Sequence, residues 1–466
     1  YTSLLAIHRG DRYHFSGGHF FLSFLSLHDP CTQSMTETHS HLQPVVLPHP
    51  PRWYRWTVLV FISLAMFGNY YIYDSISPLA DVLKQQLGFS DSNIGLLNAI
   101  YSIPNVFMVL IGGFIIDRLG TKKSTFIFAA LCLVGAVLTA SSGVLEVMAA
   151  GRLVFGLGAE SLIVAVTTAI AKWFKGKELS FAFGMNLTIA RLGSFAALNS
   201  PSWASGYYSY WQTPLLISIA AGVICVAGAI IYGILERGAD KSYQIGAAGQ
   251  TDKVVFGDLF KFGKSYWLIV ALCITFYSAI FPFQTFAVKF FIEAHGTTRE
   301  LGGFLSSMLT LLAMIFTPLF GLLVDRVAKR SLFMMFASFL LIPVYLLMAY
   351  TNISLYVPMS LMGIAFSLIP GVMWPSVAYI VDESKLGTAY GLMTMIQNIG
   401  LAGFNLLIGW ANDYSGASTA NPSGYALGMW IFSCLGFLGV LFAFLLRRSE
   451  TGPGAHGLET ITATSR

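Results

Sequence analysis

Three features of this sequence point to an all-α membrane protein with twelve transmembrane helices in two pseudo-symmetric six-helix bundles. They are its composition, a recurring apolar window and an internal duplication. Of 466 residues, 55% are hydrophobic and 11% are charged, with a mean hydropathy of +0.68. Soluble chains carry roughly 25% charged residues, and this one lacks the charges to coat several soluble cores. The same figures exclude a disordered chain, a disulfide scaffold and a coiled coil. A net charge of +5 would suit a nucleic-acid binder. The placement of the positive charges fits membrane orientation instead, and no nucleic-acid partner is expected.

Residues 1–34 mix His, Arg, Phe and Ser without period and read as an unstructured extension, with Met35 as the candidate natural start. A polar, Pro-rich tail follows, so residues 1–55 are expected to be disordered. From Trp56 onward, apolar windows recur, each near the roughly 20 residues that cross a hydrocarbon core. The expected helices are 56–78, 93–116, 124–143, 147–171, 179–200, 212–235, 265–289, 301–324, 331–350, 354–380, 386–410 and 424–446. Lipid offers no hydrogen bonds, and a helix satisfies its own backbone. Gly and Pro inside many spans fit, because membrane helices tolerate them. Gly151, Gly156 and Gly158 give the fourth helix a face that a neighbour can approach closely. Cys132, Cys225, Cys273 and Cys434 lie in apolar runs, as small buried hydrophobes rather than metal ligands.

Orientation follows from Lys and Arg. With a cytoplasmic N-terminus, nineteen fall on the inner loops and flanks, including Arg118, Lys122, Lys123, Arg237, Lys329 and Arg330. The outer loops hold three, namely Lys84, Lys289 and Arg299. The positive-inside rule then puts both termini in the cytoplasm.

The longest internal polar stretch, 236–264, separates an N-terminal bundle (56–235) from a C-terminal bundle (265–447), and 448–466 reads as a disordered cytoplasmic tail. A shift of 208 lays Gly113, Asp117 and Arg118 over Gly321, Asp325 and Arg326. After a one-residue deletion, a shift of 207 lays Gly156 on Gly363, Ala182-Phe183-Gly184 on Ala389-Tyr390-Gly391, and Gly193 on Gly400. A duplicated six-helix unit is the signature of transporters whose site lies between two halves.

The loop Gly113-x-x-x-Asp117-Arg118-x-Gly120-x-Lys122-Lys123 resembles the signature loop of the major facilitator superfamily. In the second copy Ala328 stands for the glycine. Asp117, Arg118, Asp325 and Arg326, at helix ends, suit a latch that breaks when two bundles rock. A narrower resemblance runs through Gly151 to Leu162, Trp173 to Leu179, Ala190 to Ser194, Tyr73-Asp74, Phe281-Pro282-Phe283, Met373-Trp374-Pro375 and Leu386 to Gly391. These segments look like the lysosomal dipeptide transporter branch of the superfamily. That resemblance implies the major facilitator fold, a dipeptide substrate and facilitated transport. The glycine-proline motif of drug–proton antiporters is absent from the fifth helix, where Gly193-Ser194-Phe195 follows Arg191.

Charges deep in a span are costly and mark pathways. At 1.5 Å per residue, Glu160 and Arg191 both fall near the midplane of successive helices. Such a pair can bind a zwitterion, with Glu160 on the ammonium and Arg191 on a carboxylate or peptide carbonyl. It can also be a structural pair that neutralises itself. Arg152, two turns outward from Glu160, reads as a packing or gating residue, and Asp74 as a gate or interfacial anchor. The 207 shift maps Glu160 onto Ser367 and Arg191 onto Asn398, so the second half is uncharged there. Its candidate substrate contacts are Tyr277, Phe281, Gln284, Trp374, Gln397 and Asn398.

None of the nine His residues falls in an expected span, which leaves Glu160 as the main protonatable midplane group. No metal cluster, phosphate-binding loop or nucleophile–base pair is visible, so neither an enzyme nor a cofactor is expected. The expected activity is uniport of short peptides. Its rivals are a proton- or exchange-coupled carrier of small organic anions, using Arg191 and Arg152, and a non-transporting receptor or scaffold. The expected partners are a small-molecule substrate and membrane lipid, and an accessory subunit leaves no visible trace. The expected location is a lysosomal membrane in a eukaryote or the cell membrane in a prokaryote.

Overall fold

The structure, a computed structural model, describes residues 48–174, 178–243, 245, 261–382 and 385–462. The expected extension over 1–47, Lys175, Lys177 and most of the linker lie outside the described residues.

The described chain is helical. The first half comprises α1 (Arg52–Asp74), α2 (Ala80–Leu87), α3 (Asp91–Ile100), α4 (Ser102–Ser141), α5 (Leu145–Phe174), α6 (Leu179–Leu198), the short α7 (Ser200–Trp203) and α8 (Gln212–Ser242). The second comprises α9 (Lys264–His295), α10 (Arg299–Val327), α11 (Arg330–Tyr350), α12 (Tyr356–Ile380), α13 (Leu386–Tyr414) and α14 (Ala426–Glu450). Within α4 the helix breaks at Gly120, with φ 78° and ψ 163°, a conformation that favours a residue without Cβ. The break separates the expected second and third helices. Eleven described segments are long and apolar enough to cross a membrane. Twelve spans are consistent with that count, since it passes over the more polar stretch that begins at Asp91.

The duplication extends to the turns. The helix before each second span ends on a left-handed glycine, Gly88 (φ 69°) and Gly296 (φ 63°), which are 208 positions apart. Two residues on, Ser90 and Thr298 cap α3 and α10 by accepting from Asn93 N (3.2 Å) and Leu301 N (3.3 Å).

In the first half α1 packs on α6 and α8, and α4 on α5 and α8. In the second, α9 meets α13 and α14, and α11 meets α12 and α14. One apolar cluster lies wholly in the first half, from Val58 to Ala239. A larger one joins the second half to Ile76, Leu79, Leu83, Leu97 and Tyr208. These are residues of the end that the charge count assigns outward, called here the outer end. The two halves therefore share a core at that end.

Several boundaries differ from expectation. α1 begins at Arg52 and α8 runs on to Ser242, and His295 is the last residue of α9. The tail expected to be disordered from 448 is folded as far as 462. Glu459 accepts from Ser331 N at 2.8 Å, and Arg330 donates to Leu458 O (3.1 Å) and Ile461 O (3.0 Å). The first N–H groups of α11 have no partner within the helix, and the tail supplies one. Cys132, Cys225 and Cys273 are buried, whereas Cys434 is on an exposed face of α14.

Candidate functional site

A cavity of about 300 Å³ lies between the halves, lined from α1, α5 and α6 on one side and α9, α10, α12 and α13 on the other. It receives Glu160, Arg191, Tyr277, Phe281, Gln284, Trp374 and Gln397. It also receives Asp74, expected as a gate or interfacial anchor, and Tyr70, Tyr73, Ser194, Thr310 and Thr394, five residues that sequence reasoning did not assign to a site.

Glu160 and Arg191 are half-buried on the same wall. No ion pair joins them, and neither makes a hydrogen bond or ion pair with another described residue. The Arg191 guanidinium instead lies over the Phe366 ring, 5.0 Å from its centroid, reaching from one half to the other. Phe366 carried no sequence signal, because an aromatic in an apolar helix looks like core.

The opposite wall is an aromatic stack. Tyr277 and Phe281, one turn apart on α9, stack at 5.6 Å, and Phe366 sets its edge against Phe281 at 5.8 Å. Trp374 Nε1 donates to the Tyr277 hydroxyl at 3.0 Å, and Tyr390 donates to Trp374 O at 3.1 Å. These bonds hold the Trp374 ring at the wall without consuming Gln284 or Gln397.

Asn398 is placed off the cavity. It is buried, donates to Thr394 O at 3.0 Å and faces Asn105 at 3.5 Å. Adjacent helical residues point about 100° apart, and here that turn takes Asn398 off the wall that Gln397 lines.

Arg152, 1% exposed, binds the end of α1 to α3. It donates to Ile72 O (3.1 Å), Tyr73 O (3.2 Å), Leu97 O (3.2 Å) and Asn98 Oδ1 (3.1 Å). Its guanidinium also lies near the Tyr101 and Phe155 rings. The carbonyls at a helix C-terminus need donors, and this one side chain sets the backbone that carries Tyr73 and Asp74 to the cavity. Asp117, Arg118, Asp325 and Arg326 are exposed, with Asp325 3.7 Å from Arg330.

Above the cavity the outer end is tied by buried charges. Lys289 Nζ lies 2.8 Å from Asp91, 3.1 Å from Glu293 and 2.7 Å from the Tyr425 hydroxyl. Arg299 grips both oxygens of Asp81, at 2.6 and 2.7 Å. Asp413 accepts from the backbone of Asp91 and Ser92, and Lys84 donates to Ala417 O at 3.2 Å. Sequence reasoning did not assign this network. Its only trace was the three outer cations, Lys84, Lys289 and Arg299, and all three bridge the halves. Among the described residues no cluster of His, Cys, Asp and Glu could hold a metal ion.

The family model of the Major Facilitator Superfamily matches residues 62–402 and 283–461. The chain belongs to this superfamily. It is 34% identical over 391 residues to the zebrafish (Danio rerio) lysosomal dipeptide transporter MFSD1, covering 81% of this chain and 84% of that one. The human (Homo sapiens) protein of the same name is 33% identical over 417 residues, covering 86% and 88%. A crystal structure of a bacterial homologue of the human lysosomal transporter Spinster matches with a TM-score of 0.68. It covers 86% of this chain and 98% of that one at 16% identity, a likeness of fold alone. This major facilitator protein is therefore a multi-pass membrane transporter and a homologue of lysosomal dipeptide transporters.

Proposed function

We propose that this transporter moves dipeptides by alternating access as a facilitated uniporter, with Glu160 binding the ligand ammonium and Arg191 its carboxylate or peptide carbonyl. The observation that carries this reading is the pair of opposite charges on one cavity wall, neither satisfied by a described residue. Charges withdrawn from water without partners are costly, so a zwitterion that brings both counter-charges is preferred over a neutral ligand. The fork of Arg191 suits a planar carboxylate. Tyr277, Phe281, Trp374, Gln284 and Gln397 form a neutral wall for the side chains. A volume of about 300 Å³ is at the lower end of small-molecule sites, roughly 300–1,000 Å³, which suits two residues better than a longer peptide. The names of the two MFSD1 relatives support the same substrate class.

Asp74, Arg152, Asp117, Arg118, Asp325 and Arg326 are the proposed gating residues. The same reading puts both termini in the cytoplasm, on the Lys and Arg count. The membrane is then lysosomal in a eukaryote and the cell membrane in a prokaryote.

The test is Glu160→Gln, which removes charge but keeps shape. Charge-assisted hydrogen bonds contribute roughly 1.5–3 kcal/mol, so calorimetry should show free dipeptides binding about tenfold to a hundredfold more weakly. N-acetylated dipeptides, which lack the ammonium, should be nearly unaffected. Equal losses for the two ligand forms would make Glu160 structural.

A further inference from the structure

We propose that the seam between α4, beyond its break at Gly120, and α8 holds an anionic phospholipid, with the lipid phosphate between Lys123 and Arg237. A groove of about 340 Å³ runs along this seam, away from the substrate cavity and on the outside of the first bundle. Its walls are Phe126 and Ile127 from α4 and Ile230 and Ile234 from α8. These stay 44%, 39%, 44% and 61% exposed. On a membrane-spanning helix, exposed apolar side chains face acyl chains. Gly233 keeps the groove open, since a side chain added there would meet nothing within 4 Å.

The end of the groove is basic. Lys122 and Lys123 lie one helical turn from Phe126 and Ile127, and Arg237 lies one turn from Gly233 and Ile234. Lys122 is already neutralised by Asp240. Glu236 is held by Lys172 at 2.7 Å and by Thr121 at 3.1 Å. Lys123 and Arg237 are exposed and have no ion pair or hydrogen bond with another described residue. Two unspent cations at the mouth of an apolar, lipid-facing groove match one ligand chemistry: a phosphate joined to hydrocarbon chains, at headgroup depth. A soluble anion would leave the apolar walls uncovered. A zwitterionic lipid brings its own ammonium to a site that is already basic.

The test uses the full-length protein in phosphatidylcholine nanodiscs and in detergent, with retained lipid read by native mass spectrometry. Phosphatidic acid and phosphatidylcholine of the same acyl chains are the probes, and glycerol 3-phosphate is the headgroup control. Wild type should retain phosphatidic acid selectively and ignore glycerol 3-phosphate. Each surface cation contributes about fivefold, so the double variant Lys123→Gln with Arg237→Gln should weaken retention about thirtyfold. Gly233→Leu, which fills the groove, should reduce retention to the phosphatidylcholine level while dipeptide binding stays at the wild-type value. All three variant positions lie outside the cavity lining. If Gly233→Leu does not fold, the double variant, which removes only exposed side chains, decides alone. Equal retention of the two lipids by wild type, undiminished retention by the double variant, or competition by glycerol 3-phosphate would each overturn the proposal.

Discussion

Lys289 in α9 and Asp91 at the start of α3 form an ion pair of 2.8 Å in which both side chains are fully buried. The pair Arg299–Asp81 is its image under the internal duplication: a shift of 208 lays Asp81 on Lys289 and Asp91 on Arg299. The acids belong to the first half and the bases to the second. The two bundles thus present complementary rather than identical charges at the outer end. Opening that end would hydrate all four groups, so the desolvation already spent on closing it is recovered. A lock of this kind can open and close without a large net change in energy.

Lys289→Met should destabilise the outward-closed state, because Glu293 would remain buried without its cation and Asp91 would keep only Lys84, at 3.7 Å. Removing one partner of a buried pair costs about 3–5 kcal/mol. Distances between spin labels on the outer ends of α3 and α10 should lengthen, and the exchange Asp91→Lys with Lys289→Asp should restore them in part. An unchanged distribution in Lys289→Met would remove the lock role.

Arg191→Lys should lower dipeptide affinity by tenfold or more, since a point charge replaces neither the two-pronged contact nor the flat cation over Phe366. Phe366→Leu should cost less, about 0.5–2 kcal/mol. Calorimetry on both variants checks the ordering, and a larger loss at Phe366 would show that the ring contacts the ligand directly.

Arg152→Leu should lower the thermal stability of the protein more than any substitution in the cavity. It would strand the carbonyls of Tyr73 and Leu97, at about 1–3 kcal/mol for each buried acceptor left unpaired, whereas Ile72 O would keep the Ser75 hydroxyl at 2.8 Å. Thermal unfolding in detergent measures this. A change in transport with unaltered stability would instead assign Arg152 to the transport cycle.

Uptake into liposomes should follow the dipeptide gradient with no imposed pH difference. Accumulation above equilibrium, driven by an inward proton gradient alone, would reject uniport and favour coupling through a carboxylate such as Glu160.

Helix positions and the duplication are legible in the chain, because each depends on local quantities: apolar run length and spacing. Pairing is not local. Glu160 and Arg191 line the same cavity, yet whether they meet depends on how α5 and α6 rotate about their axes. Rotation also decides that Gln397 faces the cavity and Asn398 faces Asn105. Lys289 looks like a loop cation in one dimension. It becomes a buried lock only when two bundles close around it, since its partner is 198 residues away. The docked tail follows the same rule, because Glu459 has a role only where the open N-terminus of α11 comes within reach. Hydropathy and period act along the chain, whereas the charges that carry function are balanced across it.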